Sequence, residues 1–237
     1  MSLDRVSFVG VDKDTDVQQL LQFDSTYEFG VLFSDSKNGT HQRYLSAPKS
    51  LAFLSWAKGK DILSSLHLCG SSVDRCLDKD PFLMELVSLA GRTQLNLNIK
   101  KYDDYDKLAK TILEVFQNHH VILQKNKSKT EFNRIFSKEL AKNPEVKVSF
   151  LHDGSGGFGR EIAKVEKPDE KWYTGYAGGI CPDNVLKIVS MINEVNTENK
   201  PYYIDMESGI RENNVFSIEK CLQIKELLVA NKILFKI

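Results

Sequence analysis

Short β-branched or aromatic runs alternate with helical patterns in eight successive units along 237 residues, the runs starting mostly 23 to 30 residues apart. Alternation of this kind predicts parallel strands joined by helical crossovers. Eight such units in one chain predict an α/β protein of the closed (β/α)8 barrel class, folded as one domain over residues 1–237. No linker or low-complexity stretch interrupts the pattern, and barrels of this class routinely reach this length as a single domain. A doubly wound open sheet is the alternative reading.

The first strand is read at RVSFVGV, followed by a helical pattern at TDVQQLLQF with apolar Val17, Leu20 and Leu21 behind a capping-type Asp14. The second strand, EFGVLFS, leads through a long polar loop containing Arg43 to the helix PKSLAFLSWAKG, with Pro48 near its start, a position that needs no backbone N–H. The third, SSLHLCG, is followed by helical sequence over 73–90, interrupted near Pro81. QLNLNI then precedes the periodic YDKLAKTILEVFQ, and HHVILQ precedes TEFNRIFSKELAKN, which Asn143 and Pro144 end. The sixth strand, VKVSFLHD, runs into a polar segment around Pro168. The seventh, YTGYAGG, precedes PDNVLKIVSMINEV, and the eighth, PYYIDME, precedes SIEKCLQIKELLVA.

Thirty-two basic and 32 acidic residues cancel, which gives no electrostatic case for a nucleic-acid or anionic-membrane partner. The stretch KNKSKTEFNR reads as a solvated loop and helix face. Four cysteines, Cys69, Cys76, Cys181 and Cys221, lie without CxxC spacing, as expected of free thiols in a reducing compartment. The opening MSLDRVSFVG has no apolar targeting segment, and no apolar run approaches the roughly 20 residues of a membrane span. A soluble, cytoplasmic protein is expected.

Barrel enzymes place their chemistry at the C-terminal ends of the strands. In this chain those ends carry Asp12, Ser34, Asp35, His67, Cys69, Asn96, Asn98, Gln124 and Lys125, then His152, Asp153, Gly178, Gly179, Asp205 and Glu207. This concentration of ionisable and amide groups at one rim points to a functional cleft. Strand alternation puts Ser149, Leu151 and Asp153 on one face, so that Asp153 reaches the mouth if that face is the interior. A partly desolvated carboxyl there suits a general acid. Asp205 and Glu207 share a face of the eighth strand in the same way. Glycine-rich loops follow strands six (HDGSGGFG), seven (YAGGICPDN) and eight (DMESGIRE). Glycines let a backbone approach a ligand closely, and loops after strands seven and eight form the usual phosphate cradle of barrels. A phosphorylated small molecule is the expected ligand.

These motifs resemble phosphoribosylanthranilate isomerase and an uncharacterised group of barrels related to it. The matching stretches are LHDGSGGFG, YAGGICPDNV and IDMESGIRE, with a weaker match at VLFSDSKNGTHQRYLS. The uncharacterised group shares EFGVLFS, LHLCG, YAGG and YIDME. The resemblance covers the C-terminal third best. It implies rearrangement of an aminoaldose phosphate to an aminoketose phosphate, with no cofactor or metal. Asp153 would be the acid, Arg43 would contact a substrate carboxylate, and Gly178, Gly179, Ser208 and Gly209 would hold phosphate. Asn96, Asn98 and Asp205 are further candidates for substrate contact. The family's base is a cysteine on the first strand, where this chain has Val9; Asp12 or Cys69 is the candidate replacement. Two alternatives stand beside the isomerase. One is a metal-assisted phosphosugar enzyme in which His67 and Cys69, which share a strand face, join Asp153, Asp205 or Glu207. The other is a barrel that binds a phosphorylated ligand without turnover.

Overall fold

A computed structural model describes residues 2–154, 162 and 164–233 of the protein. Eight strands close into a barrel in chain order, each parallel to the next, and β1 pairs with β8 to complete the ring. They are β1 (Leu3–Val9), β2 (Tyr27–Phe33), β3 (Leu63–Cys69), β4 (Arg92–Asn96), β5 (His120–Lys125), β6 (Val148–Asp153), β7 (Tyr173–Ala177) and β8 (Tyr202–Met206). Outside them pack α1 (Ala47–Gly59), α2 (Ser71–Leu77), α3 (Pro81–Leu89), α4 (Tyr105–Val115), α5 (Thr130–Leu140), α6 (Val185–Val195) and α7 (Ile218–Ala230). This is the (β/α)8 architecture, and not an open sheet. Among the described residues no helix is long and apolar enough to cross a membrane.

The helices start where local chemistry satisfies their free N–H groups. The side chains of Asp80, Asp104 and Ser217 accept from the backbone of Leu83, Lys107 and Lys220 at the starts of α3, α4 and α7. Asp80 and Pro81 also divide the helical sequence after β3 into α2 and α3, because proline cannot continue a preceding helix.

Three places differ from the expected pattern. The stretch after β1 is a 3-10 helix, Val17–Gln22, capped by Asp16 rather than Asp14, and Leu20 is its one buried residue. A single buried side chain gives an α-helix too little packing to hold it on the sheet. Between β6 and β7 the described residues include no helix. Between β8 and α7 lies an antiparallel hairpin, β9 (Arg211–Glu212) and β10 (Val215–Phe216). Asn213 and Asn214 both have positive φ at its turn, the geometry that twists with the flanking strands.

Strand alternation creates two cores. Val6, Phe8, Phe29, Val31, Leu66, Leu68, Leu95, Leu123, Phe150 and Ile204 face outward into a large apolar layer under the helices. Each large apolar side chain fully buried there contributes roughly 1.5–3 kcal/mol relative to exposure. The barrel interior is different. Its apolar part is Ile122, Leu151 and Tyr203, with Tyr173 and Ala177 packed against them. Val9 and Leu32 are apolar there too, and much of the rest is polar, including Ser7, Glu28, Ser65, His67, Arg92, Gln94, Ser149 and Asp205, all buried. Gly175 makes room for one large interior ring, since a Cβ there would lie 2.1 Å from Cζ of Tyr203.

Candidate active site

Because inward positions recur every second residue, the last inward residue of each strand arrives at the C-terminal mouth. There the structure forms a cavity of about 540 Å³, within the range of small-molecule sites. Cys69, Asn96, Gln124, Asp153 and Asp205 reach it from five strands. Gly178, Gly179, Ser208 and Gly209 border it from the loops after β7 and β8, and Lys37, His41, Arg43 and Tyr44 from the loop after β2. Nine sequence-predicted residues therefore share one cavity: Arg43, Cys69, Asn96, Asp153, Gly178, Gly179, Asp205, Ser208 and Gly209.

Asp205 has the most altered chemistry of this set. Burial in the barrel mouth pushes its carboxyl up to about 7, against the opposing influence of the neighbouring Ser7 hydroxyl, which favours the ionised form. Its proton is therefore exchangeable near neutral pH. Asp153 stands at the end of β6, paired with Ala177 in the β6–β7 ladder. The Cys69 thiol is pushed up by burial, although the amide of Asn96 donates to its sulfur at 3.0 Å. It therefore stays protonated at neutral pH.

The loops on the glycine side are shaped by their own packing. Gly178 and Gly179 take φ of 133° and 58°, conformations that favour glycine. The Asn184 side chain accepts from the Cys181 N–H and donates to the Gly179 carbonyl, which pins the loop at the start of α6. At Gly209 a Cβ would fall 1.9 Å from the Ile180 carbonyl oxygen. Its lack of a side chain lets the β7 and β8 loops touch. From the loop after β2, Arg43 donates to Glu207 and to Asn214 of the segment after β8, both at 3.0 Å. Lys37 lies over the Tyr44 ring, 4.7 Å from its centre.

Two predicted site residues lie elsewhere. The chain bends at Gly10, which has φ of 95°, so Asp12 leaves the mouth. Its carboxylate accepts from Arg211 at 2.5 Å, the Phe216 N–H, Thr15 and the Asp14 N–H. A carboxylate so fully engaged, and buried, anchors the β9–β10 hairpin to the end of β1 and is not placed to act as a base. Asn98 falls two residues past the end of β4, where a short 3-10 turn begins, and is exposed outside the cavity. The glycine loop over 155–159 lies outside the described residues.

His67 does not join a metal centre. Burial pushes its imidazole down to about 4, and Nε2 pairs with Ser65 at 3.2 Å. Among the described residues no group of three or more His, Cys, Asp or Glu side chains is placed to hold a metal.

Gln94 in the cavity and Lys129, which is bonded to the cavity residue Gln124, escaped the sequence reading. Gln94 sits two residues before Asn96 on the same strand face and was legible by alternation. Lys129 was not legible. It lies in a polar turn, yet it is buried, donates to Gln124 at 2.7 Å, and is pushed down to about 8 by burial despite the nearby charge of Asp153.

No protein-family model and no curated protein matches the chain. Among solved structures it is similar to the octameric ribulose-1,5-bisphosphate carboxylase/oxygenase (Rubisco) from Pyrococcus horikoshii OT3, with a TM-score of 0.49 and 6% identity. The similarity covers 96% of this chain and 60% of that one, so the chain spans less than two thirds of that protein's length. A (β/α)8 barrel with a polar, ligand-sized cavity at its C-terminal mouth is compatible with a phosphosugar-binding enzyme.

Proposed function

We propose that the mouth cavity is the active site of an isomerase acting on a phosphorylated sugar, moving a proton between adjacent carbons in the manner of phosphoribosylanthranilate isomerase. The observation that carries this reading is Asp205, a buried carboxyl lining the cavity, which burial raises to about 7. A general acid–base group works best with its pKa near the working pH. Asp153, in the same cavity, is the second carboxyl that a two-step proton transfer requires. In this scheme Asp153 protonates the ring oxygen as the sugar opens, and Asp205 removes the proton at C2. Asp205 thereby takes the part for which Asp12 and Cys69 were the sequence candidates. Phosphate lies against Gly178, Gly179, Ser208 and Gly209, and Arg43 meets the non-phosphate end.

The test is hydrogen exchange in D2O. Purified protein is incubated with aminoaldose, aldose and ketose phosphates, and deuterium at C2 of the aldoses and C1 of the ketoses is followed by NMR. Exchange is expected with at least one of them, reduced about 10²–10⁴-fold in Asp205→Asn and Asp153→Asn. The absence of both exchange and thermal stabilisation by any phosphosugar rejects the proposal. Val9, in place of the family's cysteine, favours one second reading, a barrel that binds without turnover. Thermal stabilisation without exchange would select it.

A further inference from the structure

Ser7 lies directly opposite Asp205 in the β1–β8 ladder, and its hydroxyl is near enough to the Asp205 carboxyl to favour the ionised form. The same hydroxyl donates to Oε1 of Glu28 at 3.0 Å, inside the barrel. A serine hydroxyl has one proton to donate and lone pairs to accept with. While Ser7 donates to Glu28, it can only accept from Asp205, and that requires Asp205 to carry its proton. Once Asp205 is ionised, the better use of the Ser7 proton is toward the new charge.

Glu28 tolerates the exchange because it has donors to spare. Arg92 grips it with two bonds, Nε at 2.8 Å and Nη2 at 2.6 Å, and Arg5 adds a third at 3.2 Å. Burial by itself would push the Glu28 carboxyl up, but the charge and hydrogen bonds of Arg92 outweigh it and keep Glu28 ionised. We infer that Ser7 is a positioning residue for Asp205, its single hydroxyl proton turning from Glu28 to Asp205 when Asp205 gives up its own proton, and back when Asp205 regains it. No bond other than hydrogen bonds is made or broken at Ser7. The Asp205 proton goes to substrate or solvent, and Glu28 remains a carboxylate throughout. The inference rests on Asp205 being the exchanging acid of the proposed active site.

Ser7 is the donor that the β1–β8 ladder places beside Asp205. Besides Glu28, the charged groups that act on Asp205 are Arg92 from β4 and Glu207 beyond β8. Tyr203 and Tyr173 face the same interior from β8 and β7, while His67 and Asp153 line the cavity from β3 and β6. The Tyr203 ring stacks under the Arg92 guanidinium, 4.2 Å from its centre. Arg92 grips Glu28 through Nε and Nη2, while its Nη1 and the Tyr203 hydroxyl are buried without a hydrogen-bond partner.

The experiment is a carboxyl NMR titration of the whole protein labelled with 13C at the Asp and Glu side chains, without substrate. In the wild type, the Glu28 carboxyl signal should shift at the Asp205 midpoint although Glu28 does not titrate there, because it loses the Ser7 bond. In Ser7→Ala the Asp205 midpoint should rise by about one to two pH units, since the ionised form loses a charge-assisted bond. The Glu28 signal should then be flat through that range. A wild-type Glu28 signal with no inflection at the Asp205 midpoint overturns the inference, as does an unmoved Asp205 midpoint in folded Ser7→Ala. The wild-type arm stands even if the variant does not fold. Neither arm uses a substrate, so failure of the proposed activity and failure of the Ser7 coupling are read separately.

Discussion

At Asp205 the fold holds a carboxyl where its charge is disfavoured, so protonation and stability are linked at this residue. Its ordinary pKa is near 3.8 and burial moves it to about 7. Between these values the unfolded chain has released the proton and the folded chain has kept it. The native state binds more protons there, so this group's contribution falls as pH rises through the window and is fully lost above about 7. Asp205→Asn stays neutral at every pH and removes that slope. Its stability relative to the wild type should grow by about 2–3 kcal/mol between pH 5 and pH 8. That corresponds to a melting-temperature difference growing by about 4–12 °C for a chain of this size, measured by thermal unfolding at the two pH values. A difference that does not change with pH would mean the carboxyl is not held up in the fold. Stability gained together with lost proton exchange is the usual pattern when a strained functional group is neutralised.

Among the elements, the β9–β10 hairpin joins structure to site. Asp12 ties it to the end of β1 through Arg211 and the Phe216 N–H, while Asn214 at its turn holds Arg43 on the cavity wall. Asp12→Ala leaves the Arg211 guanidinium buried without its partner, which typically costs about 3–5 kcal/mol. Urea unfolding should show that loss, and Asp12→Ala with Arg211→Met should recover part of it. Phosphosugar binding should weaken too, because Arg43 loses its support. If Asp12 acted as the base instead, Asp12→Asn would abolish exchange and leave stability nearly unchanged. The strands and most helices were legible because each has a periodic apolar face; Val146, Val148 and Phe150, with Lys147 and Ser149 between them, announce β6 by alternation alone. The hairpin was written only in Asn213 and Asn214, a two-residue signal inside RENNVF. Asp12 was misplaced because alternation assumes a strand that continues, whereas Gly10 turns the chain one residue after β1 ends. Asp205 was placed correctly at the mouth, but its proton affinity depends on Ser7, Glu28 and Arg92 from three other strands, and no local pattern records that.

For the molecule as a whole, the polar interior makes the barrel its own electrostatic regulator. Glu28 and Arg92 sit on β2 and β4, and both act on Asp205 from inside the ring. Glu28 opposes the charge on Asp205 and raises its pKa; Arg92 favours that charge and lowers it. Their signs are opposite, and burial is the largest cause of the shift. Single and double replacements should therefore behave differently. Either Glu28→Leu or Arg92→Leu leaves one buried charge without its partner and should cost about 3–5 kcal/mol, whereas the double variant should cost clearly less than the sum. The Asp205 midpoint should fall in Glu28→Leu, rise in Arg92→Leu and move least in the double variant, as read by the same carboxyl titration. Stability and midpoint test separate links. A stability pattern as expected with an unmoved midpoint would confine the pair to holding the barrel together. Opposite midpoint shifts in the two single variants would show that a buried pair near the barrel floor sets the proton affinity of the group at its mouth.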